Sequence, residues 1–164
     1  MRQSLAWLYM ALLAAVLLCA LGAAVRADRI VSDKALLLLS STSHYDTPEH
    51  HLDLFDAGHK PCAFHTASED KPWVRIDLGS TRTITAIEIV NRTDGWHGRI
   101  EGLEISVSDN GTDWQKVADA PGGKAEWLVE VPKVDGRPVK GRYLRIQMTN
   151  KECFHLSRVA VRGA

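Results

Sequence analysis

The sequence is poor in cysteine and aromatic residues, and it carries no excess of charge. It has 3 cysteines, its aromatic content is 7%, and 20 lysines and arginines balance 20 aspartates and glutamates. Such a balance argues against nucleic acid as a partner, since duplex binding needs a basic stripe, and against a polybasic grip on anionic lipid. With so few cysteines, and no Cys or His pairs at finger spacing, a zinc finger is excluded as well.

Residues 1–27 have the features of a secretory signal peptide. Arg2 lies in the short basic start, residues 5–24 are almost uninterruptedly apolar, and Ala27 precedes the expected cleavage point. We therefore expect a secreted domain of residues 28–164 that does not insert into a lipid bilayer after cleavage. The alternative is an uncleaved anchor, because the apolar run is long enough to span a membrane.

From Trp73 onward, short segments alternate apolar and polar residues and are separated by turn residues. This period of two predicts strands with one face in a core. No segment after residue 40 has helical periodicity, so the fold class is all-β, a two-sheet sandwich or jelly roll of about eight antiparallel strands. We expect Trp73 and Trp114 in the core, and Trp127 has no clear assignment. The segments are 73–78, 83–90, 103–107, 113–117, 127–131, 142–148 and 156–161.

Residues 44–65 differ from the strand region. Pro48, Gly58 and Pro61 interrupt this segment, which predicts long loops at one end of the sandwich, where binding groups usually lie. The segment is rich in histidine and acidic residues, but their spacing matches no known metal-ligand pattern, so we interpret them as a chance collection in a polar loop. These residues are His44, Asp46, Glu49, His50, His51, Asp53 and His59.

Four stretches form an ordered set of motifs. They are the Pro-Trp strand with its glycine at 72–79, the apolar strand that ends in Asn91-Arg92, the strand and turn at 104–114, and Gly-Arg-Tyr-Leu-Arg-Ile at 141–146. The set resembles the coagulation factor 5/8 type C, or discoidin-like, domain, which implies a galactose-binding-like jelly roll. Because members of that family bind sugars, lipids or proteins through variable loops, the resemblance constrains the fold more than the ligand.

A narrower resemblance is to the fucose-binding F-type lectins. His65 lies 7 residues before Pro72, Arg92 follows His65 by 27, and Arg99 follows Arg92 by 7. The resemblance implies that these three side chains contact a sugar, and terminal L-fucose on a fucosylated glycan is the sugar expected. The alternative is a discoidin-like adhesion module that binds another glycan, a protein or a cell surface.

The chemistry of these residue types agrees with sugar binding. A guanidinium offers a rigid fork of donors to adjacent hydroxyls, and a neutral imidazole both donates and accepts. We expect Asp94 to hold one arginine in place and Trp96 to pack on the C6 methyl of fucose. Taken singly, the arginines also fit ordinary surface positions. Since one monosaccharide pocket binds weakly, a homo-oligomer or clustered display is expected to supply avidity.

The two cysteines of the exported part, Cys62 and Cys153, predict one disulfide, which would stabilise the fold by about 4 kcal/mol; two buried thiols are the alternative. Calcium is a structural ion in F-type lectins, and Asp53 and Asp56 resemble half of its site. Arg158 stands where an acidic ligand is expected, so we expect no metal or other cofactor, with Arg158 pairing with Asp56 instead.

Catalytic motifs are missing from the sequence. It contains no Gly-X-Ser-X-Gly elbow, no metalloprotease histidine pair and no phosphate-binding loop, so we do not expect an enzyme. Asn91 and Asn110 begin glycosylation sequons. A glycan on Asn91 would crowd Arg92, so the sugar-pocket hypothesis requires Asn91 to be unmodified.

Overall fold

The computed structural model describes residues 28–56 and 58–164. The predicted leader, residues 1–27, lies outside these residues. Two 3₁₀ helices, Pro48–Phe55 and His97–Arg99, accompany ten strands. In chain order the strands are β1 Arg29–Ile30, β2 Leu36–Leu39, β3 Glu69–Asp70, β4 Trp73–Val90, β5 Gly102–Ser108, β6 Gln115–Pro121, β7 Glu126–Glu130, β8 Lys140–Met148, β9 Lys151–Glu152 and β10 Arg158–Gly163.

Strand β4 runs through both layers of the molecule. Its first half, from Trp73 to Asp77, lies between β2 and β8, and β8 continues to β5 and β6. Its second half lies between β10 and β7, and β1 extends that layer beyond β10. The pairing is irregular between Asp77 and Arg82, and Gly79 in that stretch has φ +77°, a left-handed conformation that favours glycine. All the pairings are antiparallel, so the predicted all-β fold is confirmed.

The core lies between the two layers and consists of alternate residues of the strands. Val74 and Ile76 of β4 and Ile146 of β8 are fully buried. Because successive side chains point to opposite faces, Trp73 faces away from Val74 and is only partly buried. The prediction of a core position for Trp73 is therefore wrong.

The structure also shows where Trp114 and Trp127 lie. Trp114 precedes β6 and is partly exposed, with its ring 4.6 Å from the guanidinium carbon of Arg145, so its predicted core position is also wrong. Trp127 belongs to the core, and its indole N–H donates to the Pro121 carbonyl at 2.6 Å. Register, rather than aromatic character, decides which of these rings is buried.

The segment that precedes β4 covers one end of the sandwich. Part of this segment, predicted as loop, is the 3₁₀ helix Pro48–Phe55, whose last residues Leu54 and Phe55 are buried. Main-chain hydrogen bonds from Ala63 to Leu156 and from Thr66 to Phe154 fix the following residues against the chain before β10. In the described part of the chain no helix is long and apolar enough to cross a membrane.

Candidate functional site

A pocket of about 410 Å³ opens at this end of the sandwich. It brings together four of the five predicted sugar-binding residues, and the fifth, Asp94, is bonded to one of them. Of its other lining residues, Pro61 and Cys62 were noted in the sequence for other reasons, and Tyr45 was not singled out. The lining residues are Tyr45, Pro61, Cys62, His65, Arg92, Trp96 and Arg99.

Other concavities offer less convergent chemistry. One of about 510 Å³ is lined by Asp28, Thr85, Ala86, Glu130, Val131 and Pro132. It presents carboxylates and backbone, whereas the smaller pocket gathers two guanidinium groups, an imidazole and two exposed aromatic rings. A few convergent polar groups with apolar surface are typical of a small-molecule site.

Arg92 is the second residue after the end of β4 and is held by its neighbours. Its main-chain N–H donates to the Asn91 side-chain oxygen at 2.8 Å, and its Nε and Nη2 donate to the two carboxylate oxygens of Asp94 at 2.6 Å. This hydrogen-bonded pair lowers the pKa of Asp94 and raises the pKa of Arg92. The side chain of Arg92 is 10% exposed. Because a guanidinium has five N–H groups, three donors remain for a ligand.

Arg99 lies in the second 3₁₀ helix and covers one face of Trp96. Its guanidinium carbon is 4.3 Å from the centre of the indole ring, within cation–π range. Its Nε is 4.0 Å from Glu152 Oε2, too far for a strong pair, and the Asn150 amide donates to its carbonyl at 3.0 Å. Trp96 is 54% exposed. Arg99 and Trp96 together therefore present both N–H donors and aromatic surface.

His65 is buried and its tautomer is fixed by the backbone. Nδ1 lies 2.9 Å from the carbonyl of Thr66, and a carbonyl only accepts, so Nδ1 carries the proton and Nε2 is an acceptor in the neutral ring. The His65 main-chain N–H donates to Asp46 Oδ1 at 2.9 Å, and Asp46 in turn lies 2.9 Å from His51 Nε2. The edge of the Tyr45 ring lies beside His65, with the ring centres 5.9 Å apart. Asp46 thus positions the loop that carries the imidazole.

His155 lies behind His65, and sequence reasoning missed it. Its ring is fully buried, its centre is 5.6 Å from that of His65, and neither ring nitrogen has a hydrogen-bond partner in residues 28–56 and 58–164. Burial, and next the charge of Arg92, lower its pKa from 6.5 to about 3. The pocket is therefore backed by a neutral imidazole at physiological pH.

Cys62 and Cys153 are both free thiols in the described chain, so the predicted disulfide is not part of this structure. Burial raises the pKa of both groups, with Arg92 opposing the shift in each case. A raised pKa keeps them protonated and unreactive at neutral pH. Cys62 instead contributes to the wall of the pocket.

Arg158 connects the loop to β10, though not by the predicted ion pair with the Asp56 carboxylate. Its Nε donates to the Asp56 main-chain carbonyl at 2.9 Å, and its Nη1 lies 3.4 Å from Glu88 Oε2. The Asp53 carboxylate lies against two imidazoles instead. Calcium takes six to eight oxygen ligands. A guanidinium lies beside Asp56 and two imidazoles lie beside Asp53, so these surroundings do not fit a calcium ion.

Asn91 is unsuited to glycosylation in this fold. It is fully buried, and its side-chain amide donates to the carbonyls of His97 and Lys124, each at 3.0 Å. Both N–H groups of the amide are thus occupied, and a glycan on this nitrogen would break at least one of these hydrogen bonds.

Comparison with known proteins agrees with the geometry. A fucolectin of Anguilla anguilla is 29% identical over 110 residues, which cover 63% of this chain and 66% of the eel protein. The lectin domain of lectinolysin, solved in complex with the Lewis B antigen, superposes with a TM-score of 0.67 at 22% identity, covering 83% of this chain and 97% of that domain. The family 32 module of Clostridium perfringens NanJ, solved in complex with galactose, has a TM-score of 0.67 at 17% identity, covering 82% and 98%.

The structural likenesses confirm the galactose-binding-like jelly roll expected from the sequence. The F5/8 type C domain profile matches residues 39–159, which include most of the strands and every residue that lines the pocket. The chain therefore belongs to the F5/8 type C domain family.

Proposed function

We propose that this protein is a secreted, non-catalytic carbohydrate-binding module that recognises terminal L-fucose, or a related sugar, through His65, Arg92 and Arg99. The observation that carries the proposal is the convergence of an imidazole and two guanidinium groups on one pocket of about 410 Å³. The similarity to a fucolectin supports fucose as the first sugar to test.

Each side chain has a defined part in the proposed recognition. The three free N–H groups of Arg92 and those of Arg99 donate to ring or hydroxyl oxygens, while His65 Nε2 accepts a hydrogen bond from one hydroxyl. Because Asp94 and the Thr66 carbonyl fix two of these groups beforehand, binding requires little ordering of side chains. The rings of Trp96 and Tyr45 offer apolar surface to the C6 methyl group.

Useful retention requires more than one such pocket. A single pocket with a few hydrogen bonds gives weak affinity, so display as a homo-oligomer or at high density on a glycan surface would multiply it. The second candidate function is adhesion to another glycan or to a protein. The exposure of Tyr45 and Trp96, 70% and 54%, favours it, since both rings offer contact area beyond one sugar.

Calorimetric titration with L-fucose, together with a glycan array, tests the proposal. Arg92→Ala and Arg99→Ala should each lower fucose affinity about 100-fold, because each removes at least two hydrogen bonds to a charged donor. Arg137→Ala is the matched control, since Arg137 is exposed and does not line the pocket. Unchanged binding in both pocket variants refutes the assigned site, and array binding only to unfucosylated glycans supports the second candidate.

A further inference from the structure

Three side chains outside the sugar pocket bring their donor atoms together. His50 Nδ1 lies 3.3 Å from Asp53 Oδ2, and His59 Nδ1 lies 3.0 Å from the same oxygen. The two imidazoles are stacked, with centres 3.7 Å apart and planes 16° apart. The donor atoms all lie within 4.8 Å of one another, and the side chains are 31% to 45% exposed, so an ion from solvent can reach them.

The backbone creates this arrangement. His50 and Asp53 are three residues apart in the 3₁₀ helix Pro48–Phe55, and side chains at that spacing eclipse each other in a helix with three residues per turn. Sequence spacing alone suggested chance, because the repeat of a 3₁₀ helix was not foreseen in a segment predicted as loop.

His59 is fixed by a different set of contacts. Its main-chain N–H donates to the Ser157 carbonyl at 3.1 Å, and the Ser157 hydroxyl donates to its carbonyl at 2.9 Å. The preceding Gly58 has φ +84°, and a Cβ there would lie 3.1 Å from Arg158 Cβ and from the Ser157 carbonyl oxygen. The close approach of this segment to the chain before β10 therefore depends on glycine at position 58, and this approach places the His59 imidazole beside Asp53.

We propose that His50, Asp53 and His59 form a binding site for a divalent transition-metal ion, with Zn²⁺ the best match. A tetrahedral zinc with ligands at about 2.1 Å places neighbouring ligand atoms about 3.4 Å apart. The observed separations from Asp53 Oδ2, 3.3 and 3.0 Å, are near this value. Two imidazoles and one carboxylate are donors that zinc prefers, and three protein ligands leave a fourth position for water or an external group.

The donor set separates this site from a calcium site. Two of the three donors are nitrogens, whereas calcium takes oxygen ligands. A bound ion would link the 3₁₀ helix to the segment that Ser157 holds beside β10. Because an ion that binds only the folded state stabilises it, the protein should melt at a higher temperature in Zn²⁺.

The experiment uses the untagged protein, freed of metal with a chelator and then titrated with ZnCl₂ by calorimetry. We expect one ion per chain, and a melting temperature about 10 °C higher at zinc concentrations near 100 times the dissociation constant. Co²⁺ should give the absorption bands of a tetrahedral site. Equal stabilisation by CaCl₂ and ZnCl₂ would contradict the proposed donor set.

Variants identify the ligands. His50→Ala and His59→Ala should each weaken zinc binding at least about tenfold, while His97→Ala, which removes an exposed histidine outside the cluster, should bind as the parent does. His50→Gln is a second, less disruptive variant, and circular dichroism checks that every variant is folded. Absence of saturable binding, or parent-like affinity in both cluster variants, overturns the proposal. L-fucose binding measured in the presence of chelator tests the sugar pocket independently of the metal site, because the pocket shares none of the three residues.

Discussion

The buried imidazole of His155 predicts a specific loss of stability in mild acid. Its pKa is lowered from 6.5 to about 3, so the folded protein keeps it neutral while the unfolded chain protonates it below about pH 6.5. The unfolded state therefore binds one more proton between these values, and the free energy of unfolding falls as the pH falls. The slope reaches about 1.4 kcal/mol per pH unit once the unfolded histidine is fully protonated, and integration from pH 7 to 4.5 gives a loss of about 2.5 kcal/mol.

Urea unfolding at about pH 7, 5.5 and 4.5 measures this loss. His155→Phe and His155→Leu remove the titrating group, and their unfolding free energies should change about 2.5 kcal/mol less over this range than that of the parent. Two variants are needed because the ring is fully buried and each replacement packs differently. His97→Ala is the control, and it should keep the parent's pH dependence. Identical pH slopes in the parent and both His155 variants would show that His155 is not held neutral by the fold.

Three further predictions follow from individual contacts. Asp94→Asn removes the charged partner of Arg92 and should weaken L-fucose binding about tenfold in calorimetry while the fold is retained; unchanged affinity would mean that Asp94 does not position Arg92. Gly58→Ala should lower the free energy of unfolding by about 1–3 kcal/mol in urea titration, because its φ is +84° and the added Cβ meets Ser157 and Arg158. Gly136→Ala is the control: its φ is +73° but the space around it is open, so its unfolding free energy should fall by less. Alkylation of the denatured, unreduced protein followed by mass spectrometry should label both Cys62 and Cys153. A disulfide-linked pair of peptides would contradict this expectation and support the disulfide predicted from the sequence.

Strands with alternating residues were predictable because burial of one face imposes a period of two. The segments 142–148 and 103–107 coincide closely with β8 and β5. The segments 73–78 and 83–90 are parts of the single strand β4, since nothing local shows that the chain stays extended through Gly79. Leu36–Leu39 was missed because four leucines have no alternation, although their burial in the structure does alternate.

The candidate site was predictable only in part. The spacing of His65, Arg92 and Arg99 matched a family pattern, and the structure brings these residues to one pocket. Tyr45 and His155 were missed because they meet His65 through tertiary contacts, in the case of His155 across 90 residues of sequence. The charge reversal at Arg158 was recognised, and the Asp56 carboxylate was predicted as its partner. In the structure Arg158 donates to the main-chain carbonyl of Asp56, an acceptor that no residue pattern identifies.

The central claim is that one sugar is held between His65, Arg92 and Arg99. Nuclear magnetic resonance titration of isotope-labelled protein with L-fucose, with D-glucose as the comparison sugar, tests it most directly. We predict that saturable shifts concentrate on the main-chain signals of these three residues and on the Trp96 indole N–H, and that D-glucose gives none of them. Saturable shifts elsewhere on the sandwich, or none with fucose in the millimolar range, would contradict the account.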